Sequence, residues 1–545
     1  MKYLLSVLLT LVTACAVAAE HDLVIRNGTL YDGSGGPPVT GDIAIDGDTI
    51  VRIGDLGQDS GRREVDAKGL AVAPGFINML SWANVSLIED GLSQSDIRQG
   101  VTLEVMGEGF SMGPWNDSMK AETLEKQTDI RYAIEWTTLF KYPQSLEVCG
   151  LSLHDALFVG NGTLRRHVIG YENRPASAGE LAQMQALLEQ AMREGAMGLS
   201  SSLLYAPSMY ADTGELIALA RVAGRHGGMY VSHIRDEGDR LLESIDELIT
   251  IAREADVPAE VYHLKASGQA NWPKLETAIE RIGQARANGL AITADIYTYH
   301  ASSTGLHVQL PDWARDGGID AAIARLKDPA TRARILSEVT FRNGPDSILL
   351  VGFRNPELRK YIGRRLDELA AELGKSPAET MADLIVEDNS RVQVVYFSMS
   401  EDNIRRKMAV PWIAFCSDAA SMAAEGVFLN QSTHPRAYGS FARVLGKFSR
   451  DEGIIPLEEA VRRLTAFPAA NLKLDKRGRL APGHYADIVV FDPDWVRDRA
   501  TFEQPHQYAE GMVHVWVNGE QVLRDGEHTG ALPGRFVRGP GARGD

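Results

Sequence analysis

Cysteine is nearly absent, with three in 545 residues, at positions 15, 149 and 416. That argues against a disulfide framework or a cysteine-built structural zinc site, so stability has to come from burial of apolar surface. Cys416 stands inside the run Trp412-Ile413-Ala414-Phe415-Cys416 and reads as a small buried residue. Dense runs of lysine and arginine are missing too, and the formal net charge is −17. Nucleic acid and anionic membrane surfaces, which call for a basic patch, are therefore poor partners. Beyond the N-terminus no apolar stretch reaches the about 20 residues that a membrane helix needs. The chain is an acidic globular protein, too long for one ordinary domain.

Residues 1–19 carry an export pattern: Lys2, then the apolar Tyr3 to Val12, then the small residues Ala16-Val17-Ala18-Ala19. Val12-Thr13-Ala14-Cys15 also resembles a lipobox, which would leave Cys15 lipid-modified. Both readings place the mature protein outside the cytoplasm, periplasmic or secreted in the first and anchored through Cys15 in the second.

From 20 to 73 the chain reads as short alternating strands with tight turns at Asn27-Gly28 and Asp46-Gly47. The same grammar returns between 471 and 545, in Ile488-Val489-Val490-Phe491 and Val513-His514-Val515-Trp516-Val517. Two half-sheets at opposite ends most simply pair into one β-sandwich, with residues 74–470 inserted between them. There, helical stretches alternate with short apolar strands in a number compatible with an eightfold repeat. The expected fold is α/β: a (β/α)8 TIM barrel, a sandwich from both termini, and a subdomain inserted at about 310–391. That insertion is too long for one βα loop and suits a lid or pocket wall. Later strands at the barrel rim are expected at Val392 to Phe397, with Ser400 capping the next helix, and at Trp412 to Asp418.

Two histidines end consecutive apolar runs, Met229-Tyr230-Val231-Ser232-His233 and Ala259-Glu260-Val261-Tyr262-His263, each followed by an amphipathic helical stretch. In a parallel barrel the ends of successive strands share one rim, so two imidazoles there can converge on one metal ion. A core imidazole bonded to a carbonyl is the competing reading for each. Asp418 likewise ends an apolar run and should emerge at the rim, as an acid–base group or as a mere helix cap.

Eight motifs then fall in order along the chain: Ala73-Pro74-Gly75-Phe76-Ile77, Gln99-Gly100-Val101-Thr102, Tyr205-Ala206-Pro207, Ser232-His233-Ile234-Arg235, His263-Leu264-Lys265, Asp295-Ile296-Tyr297-Thr298-Tyr299, Ser417-Asp418 and His434-Pro435-Arg436. On these the chain resembles the D-aminoacylases, the N-acyl-D-amino-acid deacylases of the amidohydrolase superfamily. The resemblance implies a zinc-dependent barrel that cleaves the amide of an N-acyl-D-amino acid or of a dipeptide ending in a D-residue. It makes Asp418 the general acid and base, and assigns the substrate carboxylate to Lys265, with Tyr297 or Ser303 assisting. It also brings in Tyr205, while Arg436 either adds a contact to that carboxylate or serves as an ion-pair partner, as Arg235 would.

Where the family carries a His-x-His metal pair, Leu80 and Trp82 stand here, and Asn78 replaces an aspartate. Neither Leu nor Trp ligates zinc, so one metal position is expected to be empty. The family's Gly-Asn-Cys-Gly segment, whose cysteine is a ligand, becomes Met106-Gly107-Glu108-Gly109, one residue shorter and with a carboxylate. Glu108, His233 and His263 are thus the expected ligands of one Zn2+ per chain, although a lone glutamate in a Gly-rich loop is often only solvated. Two alternatives stand beside hydrolysis of N-acyl-D-amino acids: a cyclic-amide hydrolase of dihydroorotase or hydantoinase type, and a non-catalytic binding protein. The partner in each is a small molecule.

Overall fold

The computed structural model describes residues 19–542, so the expected export segment lies outside it except for Ala19. No helix among the described residues is long and apolar enough to cross a membrane.

Both ends of the chain build one nine-stranded sheet, with five strands from Glu20–Leu30 to Ala71–Pro74 and four from Ile488–Phe491 to Glu527–His528. The halves meet edge to edge: Ala71–Pro74 runs antiparallel to Ile488–Phe491, with Val72 opposite Val490. They also share a core, in which Leu23, Ile25 and Ile43 pack with Ile488, Val490 and Trp516. Asp46-Gly47 makes the hairpin turn that its sequence implies. Asn27-Gly28 does not; it is a bulge within the first strand, with Asn27 at φ +58°. Asparagine and glycine tolerate left-handed backbone in either setting, so the pair alone cannot distinguish a turn from a bulge. Residue 28 must be glycine because a Cβ there would stand 2.5 Å from Val72 Cγ2.

Between these strands lies the barrel. Its strands are β1 (Phe76–Ser81), β2 (Val101–Met106), β3 (His154–Leu157, resumed at Val159–Gly160), β4 (Gly198–Ser202), β5 (Met229–His233), β6 (Ala259–Val261), β7 (Ile292–Ile296) and β8 (Ile413–Phe415). Each pairs in parallel with the next. They are buried along their length, as strands covered by helices on one face and by each other on the other must be. The ring closes just past β8, where Trp82 N–H donates to the Ala419 carbonyl at 3.0 Å and Asp418 N–H to the Leu80 carbonyl at 2.9 Å. Asn78, wholly buried, reinforces that seam by accepting from Ser417 N–H at 2.9 Å and donating to Ser417 Oγ at 2.8 Å.

Over the mouth sits an insert with its own antiparallel sheet, Ser302–Gly305, Gln393–Tyr396 and Ile348–Gly352, and its own core around Leu306, Ile323, Leu350, Leu369 and Val394. The run Val392 to Phe397, expected at the barrel rim, therefore belongs to this insert, paired antiparallel on both sides. An apolar run signals burial in a sheet without saying which sheet. Ser400 does cap the following helix, accepting from Asp402 and Asn403 N–H.

Asn78→Leu would leave Ser417 N–H without its acceptor and Ser417 Oγ without its donor at the seam. A loss of about 2–3 kcal/mol is expected, read as a lower midpoint in urea unfolding with unchanged secondary structure beforehand.

Candidate active site

The ends of β2, β5 and β6 bring Glu108, His233 and His263 together, the one such convergence of three metal-binding side chains among the described residues. Their donor atoms all lie within 4.8 Å of one another. Glu108 Oε1 is 3.0 Å from His233 Nδ1 and 3.1 Å from His263 Nε2. The two rings stand nearly perpendicular, centroids 4.6 Å apart. His233 closes β5. His263 follows β6 by two residues with φ +37°, and its N–H is fixed by Asp295 Oδ1 at 2.6 Å. Glu108 reaches the mouth because Gly107 (φ +110°) and Gly109 (φ +61°) flank it; a Cβ on either would collide with the Phe158 or Ser202 backbone. The Gly-Glu-Gly order is thus a steric requirement of this turn.

A second carboxylate, Glu237, faces the opposite edges of the same imidazoles. Its Oε1 lies 3.0 Å from His263 Nδ1, and its Oε2 lies 3.9 Å from His233 Nε2, a buried nitrogen with no other partner. Lys265 Nζ donates to Oε1 at 2.6 Å. Burial pushes both glutamates up, but the surrounding cations win: His263 and His233 hold Glu108, and Lys265 with the histidines holds Glu237, well below the usual carboxylate range. Burial and Lys265 push the His263 imidazole down, yet Asp418, Glu237 and Glu108 hold it up at about 10. The field here calls for positive charge. Two imidazoles and a carboxylate with their donor atoms gathered within 4.8 Å make a set suited to zinc, and Glu237 is placed to receive the outward N–H of His263. The residues present fit the ion.

Asp418 stands across the mouth at φ +48°, a strained conformation for a non-glycine residue. Trp82 Nε1–H donates to its Oδ1 at 3.2 Å, and Arg436 Nη1 lies 2.6 Å from its Oδ2. Arg436 is therefore committed to Asp418 as an ion-pair partner, its guanidinium 4.5 Å from the Tyr297 ring centre, with Lys265 Nζ 5.7 Å from the same centre. The Tyr297 hydroxyl donates to Met399 Sδ at 3.3 Å. Tyr205 sets its ring edge against His233, centroids 5.4 Å apart, and bonds Thr304 of the insert at 2.8 Å. Ser303 is not brought into this group. Along its strand Ser302 and Thr304 face a cavity, while Ser303 points the other way and donates to the Val394 carbonyl. Arg235 is an ion-pair residue, held by Glu247.

Sequence reasoning missed Glu237 and the donor role of Trp82. Glu237 lies beyond the strand end, four residues after His233, and the Trp82–Asp418 bond joins residues 336 positions apart. A glutamate four residues from a candidate ligand was the available signal.

The Amidohydrolase family profile matches residues 63–523. The D-aminoacylase of Alcaligenes xylosoxydans xylosoxydans is 34% identical over 527 residues, covering 95% of this chain and 97% of its own. Among solved structures, an N-acyl-D-glutamate deacylase from Bordetella bronchiseptica, complexed with zinc and a phosphonate mimic of the tetrahedral intermediate, is 30% identical with a TM-score of 0.80. A D-aminoacylase studied for its binuclear metal centre, described by one-metal activation and second-metal attenuation, is 32% identical, also at 0.80. Each structural match covers 95% of this chain and 100% of the other.

Glu237→Gln should weaken zinc binding about 10- to 100-fold in a competition titration against a chelating dye, with the metal-free fold unchanged. Glu108→Ala should abolish stoichiometric binding in the same titration.

Proposed function

That the chain belongs to the amidohydrolase family, in its D-aminoacylase branch, is the premise from which we propose that it hydrolyses the N-acyl bond of D-amino acids, releasing the free D-amino acid. One observation carries this reading: a carboxylate clamped at both oxygens, Asp418, faces a three-donor metal set across the barrel mouth, with a buried ammonium, Lys265, beyond the set. The preference for D-substrates is supported by the relatives.

Glu108, His233 and His263 would hold a single Zn2+, which supplies Lewis acidity towards a carbonyl oxygen and towards water. The count of one is supported by Leu80 and Trp82: a leucine and an indole stand where a second ion would need imidazoles. The remaining chemistry is the chain's own. Asp418 takes a proton from the attacking water and returns it to the departing nitrogen, because an amide anion leaves poorly. Arg436 and Trp82 keep the carboxylate from rotating away between these two transfers. Lys265 anchors the substrate carboxylate in competition with Glu237, and Arg436, being committed to Asp418, orients the proton carrier. The binding-protein alternative explains neither the paired clamp on Asp418 nor the strain at that residue. Cyclic-amide hydrolysis, which usually uses two metals, loses its second position to Leu80 and Trp82.

Export is part of the same proposal, supported by the pattern of Lys2, the Tyr3 to Val12 run and the small residues before Glu20.

Asp418→Asn, folded and zinc-loaded, should lose about 10²- to 10⁴-fold in kcat on N-acyl-D-amino acids. Lys265→Met should act mainly on KM. Turnover of the L-enantiomers as fast as the D-forms, or full activity of Asp418→Asn, would overturn the reading.

A further inference from the structure

Two cavities border the site, one through His233 and Glu237 and the other through Trp82 and Tyr205, and their walls differ in chemistry. The larger, about 970 Å³, carries His233, Glu237, Arg235, Arg342, Ser302 and Thr304 on its wall. The smaller, about 650 Å³, has Trp82, Phe110, Tyr205, Tyr132, Ile319 and Phe428 on its wall. Most of its charged groups are already paired: Lys126 and Arg166 both hold Glu122, at 2.8 and 2.5 Å, Arg359 holds Asp129 at 2.7 Å and Asp312 holds Arg315, which leaves Arg391 as the one lining cation without an ion pair among the described residues.

Three residues of the apolar wall touch the site itself. Trp82 donates to Asp418, Tyr205 packs on His233, and Phe110 lies two residues beyond Glu108 with its N–H on the Glu108 carbonyl. Lys265 is on the other side, at the His263 Nδ1 edge, whereas Glu108 is at the Nε2 edge. A substrate whose carboxylate lies at Lys265 and whose amide lies over the donor set therefore directs its acyl group towards Trp82 and Phe110. Trp82 keeps 38% of its surface accessible, an exposed indole that water alone would disfavour.

Building on the deacylase reading above, we propose that this cavity is the acyl subsite and that the substrates carry long apolar acyl groups, of fatty-acid type, rather than acetyl. An acetyl group has three heavy atoms, whereas 650 Å³ accommodates about twenty water-sized groups. Each methylene moved from water onto such a wall improves binding about threefold to fourfold. The substitution of Trp82 for a ligand histidine thus supplies both a donor to Asp418 and the first section of an apolar wall.

The test compares N-acetyl and N-octanoyl derivatives of D-leucine, D-serine and D-glutamate on the zinc-loaded full chain, with calorimetric binding to Asp418→Asn in parallel. The octanoyl compounds should exceed the acetyl ones in kcat/KM by at least about 50-fold. Thr123→Trp, which fills the cavity, and Ile319→Asp, which charges its wall, should each lower the octanoyl-to-acetyl ratio by at least about tenfold. Equal kcat/KM for both chain lengths, or a ratio untouched by both variants, overturns the acyl subsite and leaves the deacylase reading standing. Tight octanoyl binding without hydrolysis of any compound would uphold the subsite and overturn the deacylase. Neither turnover nor chain-length-dependent binding overturns both.

Discussion

The barrel mouth answers to one electrostatic demand: three carboxylates, the buried Glu108 and Asp418 and the half-buried Glu237, crowd around two imidazoles, with Lys265 and Arg436 as the permanent cations bound to them. Desolvated carboxylates are costly unless each finds a cation or a donor. Glu108 finds the inner nitrogens of both histidines, Glu237 faces their outer nitrogens and bonds Lys265, and Asp418 finds Arg436 and an indole N–H. The backbone bends to permit it. Two glycines turn Glu108 inward, and His263 and Asp418 both adopt left-handed conformations, each costing on the order of 1–3 kcal/mol. The closed seam between β1 and β8 and the fully buried strands hold those conformations in place.

The departure from the family pattern at residues 78–82 is part of the same arrangement. Asn78 serves the ring closure, Leu80 is wholly buried with its carbonyl bonded to Asp418 N–H, and Trp82 bonds the Asp418 side chain. Two neutral or cationic donors, the indole and the guanidinium, stand around that carboxylate where a second ion would otherwise balance it.

Much of this was legible in the sequence because it rests on local pattern. His233, His263 and Asp418 each terminate an apolar run, and a strand end in a parallel barrel faces the rim whatever the rest of the chain does. Glu108 needed the motif comparison, since a glutamate between glycines carries no periodicity. Glu237, the Trp82–Asp418 bond and the commitment of Arg436 to Asp418 were not legible, because each depends on where a loop beyond a strand end places its side chain. Ser303 shows the opposite limit. The family resemblance pointed it to the substrate, but the alternation of its strand turns it to the insert sheet. The strand at Val392 to Phe397 was visible as a strand and misplaced as to sheet, because apolar runs report burial and carry no record of their neighbours.

The Tyr205 hydroxyl and Thr304 join the barrel to an insert that has a core of its own. Tyr205 belongs to the wall of the apolar cavity and Thr304 to that of the polar one, so their single hydrogen bond is part of the partition between them. On the proposed acyl subsite, a substrate cut at the centre would leave its acyl half in the apolar cavity, across that hydrogen bond from the polar one. Two products so parted would not need a common exit, and the departure of one would not wait on the other.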